Sequence, residues 1–292
     1  MRTKPFSIAI ALLIATVPAW AQSGNKQVEV YGQKINYIEA GSGPNVILLH
    51  GLGGDATNWA LTVPALASKY HVWVPDQVGF GYSDKPLINY RVATMVDFLE
   101  GFCKTLAIDR ATLVGNSLGG WIAADYTMAH PERVEKLVLV DSAGYSFANG
   151  PIKPTREMME GLNPNTIAGA KIVLSAIFAN PSFSTDANAE RLFTQHMRKN
   201  DGYTIDRFID SILRGEDFLD GKLAAIKIPT LVLWGREDHL VPLTSGQQFA
   251  KDIAGAQITV FDHCGHVPQM ECSAPFNAAL TKFLATELTS NR

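Results

Sequence analysis

Ala111-Thr112-Leu113-Val114-Gly115-Asn116-Ser117-Leu118-Gly119-Gly120 is the stretch on which the reading of this chain turns. Residues 111–114 read as a short strand and residues 118–129 as a helix. Between them one serine stands among glycines. So sharp a strand-to-helix turn holds its serine in a strained conformation with the hydroxyl exposed. The glycines are needed because a β-carbon there would strike the neighbouring strand and helix. The helix then points its N-terminus at the serine and favours negative charge there. Ser117 is therefore the candidate nucleophile. The plainer alternative is a glycine-rich turn without chemistry.

The segments on either side keep the same rhythm. Residues 27–31 and 34–38 flank Gly32-Gln33 as a hairpin. Residues 46–49, 71–75, 134–140, 230–234 and 257–261 read as strands. Residues 56–70, 93–106 and 276–288 read as helices, the first broken at Pro64. Short apolar strands alternating with helices imply an α/β fold, with a mostly parallel sheet covered on both faces. Residues 142–225 contain helical patterns and no convincing strand, so they read as an insertion between two strands. Ligands in open α/β sheets bind outside the carboxyl ends of the strands. An insertion there would roof the site.

The 292 residues are 47% hydrophobic and 18% charged, enough for one large domain with an insertion. The net charge is -3 and no basic stretch stands out, which argues against a nucleic-acid partner. At the N-terminus Arg2 and Lys4 precede an apolar run over residues 6–17, then Pro18 and Ala19-Trp20-Ala21. This pattern predicts a signal peptide over residues 1–21, cleaved after Ala21, and a periplasmic or secreted product. The run is short for a bilayer span. An oxidising compartment permits a disulfide. Cys264 and Cys272 are the near pair, but spacing alone leaves their pairing open. Cys103 reads as a small buried apolar residue.

A serine needs a base and an orienting acid, expected in the chain order Ser, acid, His. Asp238 follows the strand over residues 230–234, and His266 follows the last strand. Asp141 and Glu237 compete with Asp238, and His263 competes with His266. Gly265 before it and Val267-Pro268 after it favour His266. His71, His130, His196 and His239 lack such a context. The oxyanion donors expected are the backbone N–H groups of Leu118 and Leu52, the latter in the loop His50-Gly51-Leu52-Gly53-Gly54. His50 precedes those glycines and reads as a holder of the loop. His263-Cys264-Gly265-His266 lacks a second cluster to complete a metal site, and no glycine run forms a phosphate or dinucleotide loop. No cofactor and no metal is implied.

These residues resemble the α/β-hydrolase superfamily. The matching pieces are the His50–Gly54 loop, Asp76-Gln77-Val78-Gly79-Phe80-Gly81-Tyr82-Ser83, Gly115 to Gly120, Gly235 to Pro242, and Gly265-His266-Val267-Pro268 with Glu271. The resemblance implies a Ser117–His266–Asp238 triad on a core of residues 22–144 and 223–292, with a helical cap over 145–222. Serine at the nucleophile position argues against the dehalogenases and epoxide hydrolases of the superfamily, which use Asp. The elbow is similar to that of bacterial secreted esterases and lipases. It is also similar to that of the meta-cleavage product hydrolases, which cut carbon–carbon bonds in vinylogous diketones. The latter usually carry proline in the oxyanion loop and tryptophan after the catalytic histidine, where Gly54 and Val267 stand here. The expectation is a carboxylic ester hydrolase acting on a small-molecule ester or lipid, with transient contact to a lipid interface. Carbon–carbon hydrolysis is the second reading, and a non-catalytic binding protein the third. The apolar run over 172–178, with Met158 and Met159, reads equally as an acyl pocket or as ordinary helix packing.

Overall fold

The computed structural model describes residues 25–146 and 155–287; the expected signal peptide over 1–21 lies outside them. The chain opens as a hairpin, β1 (Lys26–Val30) and β2 (Gln33–Ala40). Tyr31 and Gly32 form its two-residue turn, both at positive φ, as a tight antiparallel connection requires. β3 (Asn45–Leu49) follows, then a 3₁₀ turn over Ala56–Trp59 and a short α1 (Val63–Leu66). The helix expected over 56–70 is thus two short pieces. Pro64 sits in the first turn of the second, where a missing N–H costs nothing.

β4 (His71–Pro75), α2 (Val92–Thr105), β5 (Ala111–Asn116), α3 (Leu118–Ala129) and β6 (Val134–Val140) complete the first half. Among the described residues, four α-helices intervene before the sheet resumes: α4 (Arg156–Glu160), α5 (Ile167–Ile177), α6 (Asp186–Lys199) and α7 (Gly202–Leu213). β7 (Thr230–Gly235), α8 (Leu243–Asp252), β8 (Gln257–Phe261), α9 (Pro268–Glu271) and α10 (Ser273–Leu284) close the chain.

The eight strands lie in the order β1-β2-β4-β3-β5-β6-β7-β8. β2 is antiparallel to both its neighbours, and every pairing from β4 to β8 is parallel. The fold expected from the strand–helix rhythm is the one observed. Every residue of β5 and β7 is buried, as strands covered on both faces must be. One core packs α2, α3 and α8 against one face, around Trp121, Tyr126 and Phe249. The other packs α1 and α10 against the opposite face, around Trp59 and Phe276. A third, smaller core lies among α5, α6 and Val267. β3, β5, β6, β7 and β8 run parallel, so their carboxyl ends meet on one edge. The candidate residues gather there, beneath the inserted helices.

Candidate active site

Ser117 joins β5 to α3 at φ 55° and ψ -119°, a region unfavourable for a side chain with a β-carbon. The turn is held from three sides. Ser117 N donates to Val140 O at 2.9 Å, while its own carbonyl accepts from Gly120 N and Ala143 N. A β-carbon on Gly119 would lie 2.4 Å from Leu49 O, so α3 can start this close to β3 only with glycine there. Leu118 is the first residue of α3, so its amide has no partner within the helix.

The loop after β3 lies against the serine: a β-carbon on Gly51 would meet Ser117 Cβ at 3.0 Å. His50 is fully buried. Its Nε2 accepts from Gln77 N at 3.0 Å, which leaves Nδ1 to donate to Gly51 O at 2.8 Å. Gln77 Nε2 donates back to His50 O at 2.7 Å. Burial, against the Gly51 bond, holds the imidazole below its ordinary pKa, so it stays neutral and fixes the loop. Leu52 follows it and lines the cavity with Leu118 and Ser117.

His266 lies between β8 and α9, and Asp238 in the loop after β7. Both are buried. His266 Nδ1 stands 2.7 Å from Asp238 Oδ2. Asp238 Oδ1 accepts from Leu240 N at 2.8 Å and Val241 N at 3.0 Å, which aims the carboxylate. With Nδ1 on the carboxylate, Nε2 is the nitrogen left for Ser117, and His266 and Ser117 line one cavity. The competitors have other partners or places, although His196 and His239 also line the cavity. His263 is exposed, and Glu237 receives Cys264 N at 3.0 Å. His71 pairs with Glu39, His196 pairs with Asp201, and His130 packs on Tyr126. Asp141 is fully buried behind Asp238.

The cavity measures about 1420 Å³ and runs up between the sheet edge and the inserted helices. Val173, Leu174 and Ile177 of α5 and Phe178 just beyond it face the cavity, whereas Ile172 is 69% exposed. The apolar run over 172–178 is thus divided between cavity wall and outer surface. Met158 and Met159 also reach the cavity, and α6 adds Arg191, Gln195, His196 and Lys199.

Sequence reasoning did not find the groups that tie the roof to the base. His266 N donates to Ile177 O at 2.8 Å. Glu271 accepts from Gly265 N at 2.7 Å and from Ala179 N and Asn180 N at the end of α5. Lys199 reaches Asp55, beside the His50–Gly54 loop, at 2.5 Å. Asn116 Nδ2 donates to Val140 O and His266 O, fastening the elbow to the histidine loop. Asn116 and Glu271 left a trace in the sequence, as members of the elbow and histidine pieces but without these roles; the Ile177 carbonyl and Lys199 left none. Cys264 and Cys272, left open by their spacing, are bonded to each other across the His266 turn, and Cys103 is buried. Among the described residues no helix is long and apolar enough to cross a membrane.

The chain matches the alpha/beta hydrolase fold family over residues 44–166 and 176–272. It is 34% identical, over 89% of its length and 93% of the relative's, to 2-hydroxymuconate semialdehyde hydrolase of Pseudomonas sp. strain CF600. Among solved structures it is similar to a variant of the meta-cleavage product hydrolase of Pseudomonas fluorescens, at 32% identity and a TM-score of 0.80, covering 89% of this chain and 97% of that one. A membrane phospholipase A, a bacterial virulence factor, matches at 28% identity and a TM-score of 0.78, covering 91% and 87%. With eight strands in this order, a serine at the elbow and a match spanning most of its length, this chain belongs to the α/β-hydrolase fold family.

Proposed function

We propose that this chain is a serine hydrolase that cleaves a carbon–carbon bond in a vinylogous diketone carrying a carboxylate, with Ser117, His266 and Asp238 as its triad. The observation that carries the bond type is the near full-length similarity to hydrolases named for such substrates. This reorders the expectation from sequence, which placed ester hydrolysis first. The Nδ1 contact of His266 to Asp238 supports the role of each residue.

In this reading His266 Nε2 takes the Ser117 proton while Oγ attacks the ketone carbonyl. Leu52 and Leu118 N–H groups hold the oxyanion. The tetrahedral adduct collapses by breaking the bond to the neighbouring carbon. That electron pair passes into the conjugated ketone, and the departing carbon receives a proton. Water, activated by His266, then releases the acyl group as a carboxylic acid. The net change is one water added across one carbon–carbon bond. The Arg191 guanidinium on the cavity wall suits the substrate carboxylate.

Ester hydrolysis is the second reading. It is favoured by Val267 and Gly54 at the two positions of departure, by the apolar face of α5 and by the phospholipase likeness. The chemistry differs only in the leaving group, an alkoxide in place of a stabilised carbanion. The test is kcat/KM on a 2-hydroxy-6-oxo-dienoate beside aryl esters of increasing chain length, with Ser117→Ala as control. A dienoate preference of about 100-fold or more, roughly 3 kcal/mol, supports the first reading. Turnover of esters alone sinks it, and turnover persisting in Ser117→Ala sinks both. We also propose export with cleavage after Ala21, which N-terminal sequencing of the mature protein tests.

A further inference from the structure

Asp141 is the first residue after β6 and is wholly buried. Its backbone is in the left-handed region at φ 43°, a strained place for aspartate, which turns the side chain toward β7. Oδ1 accepts from Gly235 N at 2.8 Å. No donor reaches Oδ2. One atom from each of Asp141, Asp238 and His266 lies within 4.8 Å of the others. The charged groups facing Asp141 are Asp238 from the loop after β7 and Glu271 from α9, with the titratable His266 ring from the loop after β8. Asp238 already holds His266 through Oδ2 and two backbone amides through Oδ1.

We propose that Asp141 is a positioning residue that stays a neutral carboxylic acid and donates its Oδ2 hydrogen to the Asp238 carboxylate, fixing the group that orients His266. Two carboxylates this close in a dry space do not both ionise. The oxygen without a donor is the one free to carry the hydrogen. Burial first, and the Asp238 charge second, hold the Asp141 carboxyl well above the ordinary carboxylate range. A second consequence follows from the shared space. If Asp238 loses its charge, Asp141 no longer faces a repelling neighbour. Burial still favours the neutral acid, so the ionisation is driven by the His266 imidazolium that forms as Ser117 reacts: Asp141 then gives up its proton to solvent and becomes the carboxylate that orients His266. A purely structural Asp141 would do neither, because accepting the Gly235 amide needs no proton.

The inference rests on the triad but not on which bond it cuts, so the test uses fluorophosphonate labelling of Ser117. In that reaction Oγ bonds to phosphorus, fluoride leaves and His266 takes the proton. Asp141→Asn keeps the Gly235 acceptor and offers an amide hydrogen to Asp238, but cannot ionise. Asp238→Asn alone is expected to label about 100-fold faster than Asp238→Asn/Asp141→Asn, which should show the full loss of about 10⁴-fold for a triad without its acid. Infrared spectra at neutral pH should show a neutral carboxylic acid band that Asp141→Asn removes. Equal labelling of the single and double variants, or no such band, overturns the proposal. If the unaltered protein does not label at all, the serine-hydrolase reading falls. The infrared band then still decides whether Asp141 carries a proton.

Discussion

At the scale of single residues, the site is a set of charges and strained backbones placed against the sheet edge. Ser117 keeps an unfavourable conformation because Val140, Gly120 and Ala143 bond its backbone and glycines clear the space around it. In the proposed reading Arg191 on the cavity wall separates the two candidate reactions, since a dienoate carries a carboxylate and an aryl ester does not. Losing a charge-assisted hydrogen bond costs about 1.5–3 kcal/mol. Arg191→Leu is therefore expected to lower kcat/KM for a dienoate by roughly 10- to 100-fold, and for aryl esters by much less. Steady-state kinetics on both substrate types check this. An equal loss on both would mean that Arg191 shapes the roof and does not read the carboxylate.

At the scale of elements, β6 shows how a pattern can mislead. Its Val134–Val140 sequence is apolar except for Glu135 and Lys136, which suggests two solvent-facing positions. Lys136 is instead buried. Its ammonium donates to Phe283 O and Leu284 O at the end of α10 and to Thr286 O just beyond it. The lysine therefore caps a helix whose last residue lies 148 residues further along the chain. Lys136→Met keeps the stem but takes the donor from Leu284 O and Thr286 O, while Phe283 O keeps Thr286. A loss of about 1–3 kcal/mol is expected, read as a lower midpoint in urea unfolding with labelling of Ser117 retained in the folded protein. The His266 loop is likewise tied to a distant element: Ile177 O accepts from His266 N, and Glu271 bridges Gly265 N to Asn180 N just past α5.

At the scale of the whole molecule, the roof is pinned to the core by an ion pair and the histidine loop is closed by a covalent bond. Asp55 is buried beside Lys199. Burial pushes the Asp55 carboxyl up, but the Lys199 ammonium and the Thr57 donor outweigh it and leave the pKa lowered. A lowered folded-state value means that the stabilisation is complete above the ordinary carboxylate range near about 4. It is lost as pH falls through the folded-state value. Asp55→Asn should therefore melt at a lower temperature near pH 6 and show a shallower fall in Tm below about pH 4. Parallel slopes in calorimetry would refute this. The Cys264–Cys272 bond spans a sequence separation of 8. Closing so short a loop is worth about 2–3 kcal/mol in the chain-entropy account. Cys264→Ser/Cys272→Ser should lose about that much in denaturant unfolding and become insensitive to dithiothreitol.

The sequence by itself determined the alternation of strands and helices, the elbow, and the order of Ser117, Asp238 and His266. Each of these is written in local chemistry: apolar period, glycines around one serine, an acid and a histidine just past strand ends. It also separated His266 from His263, because a glycine before and a proline after mark a tight turn. Only the tertiary structure decided what lies beyond such local signals. It joined Cys264 to Cys272, buried Lys136 under α10, set Lys199 on Asp55 and pressed Asp141 behind Asp238. These contacts link positions that share no period or motif; Asp141 meets Asp238 because the parallel sheet brings distant strand ends to one edge.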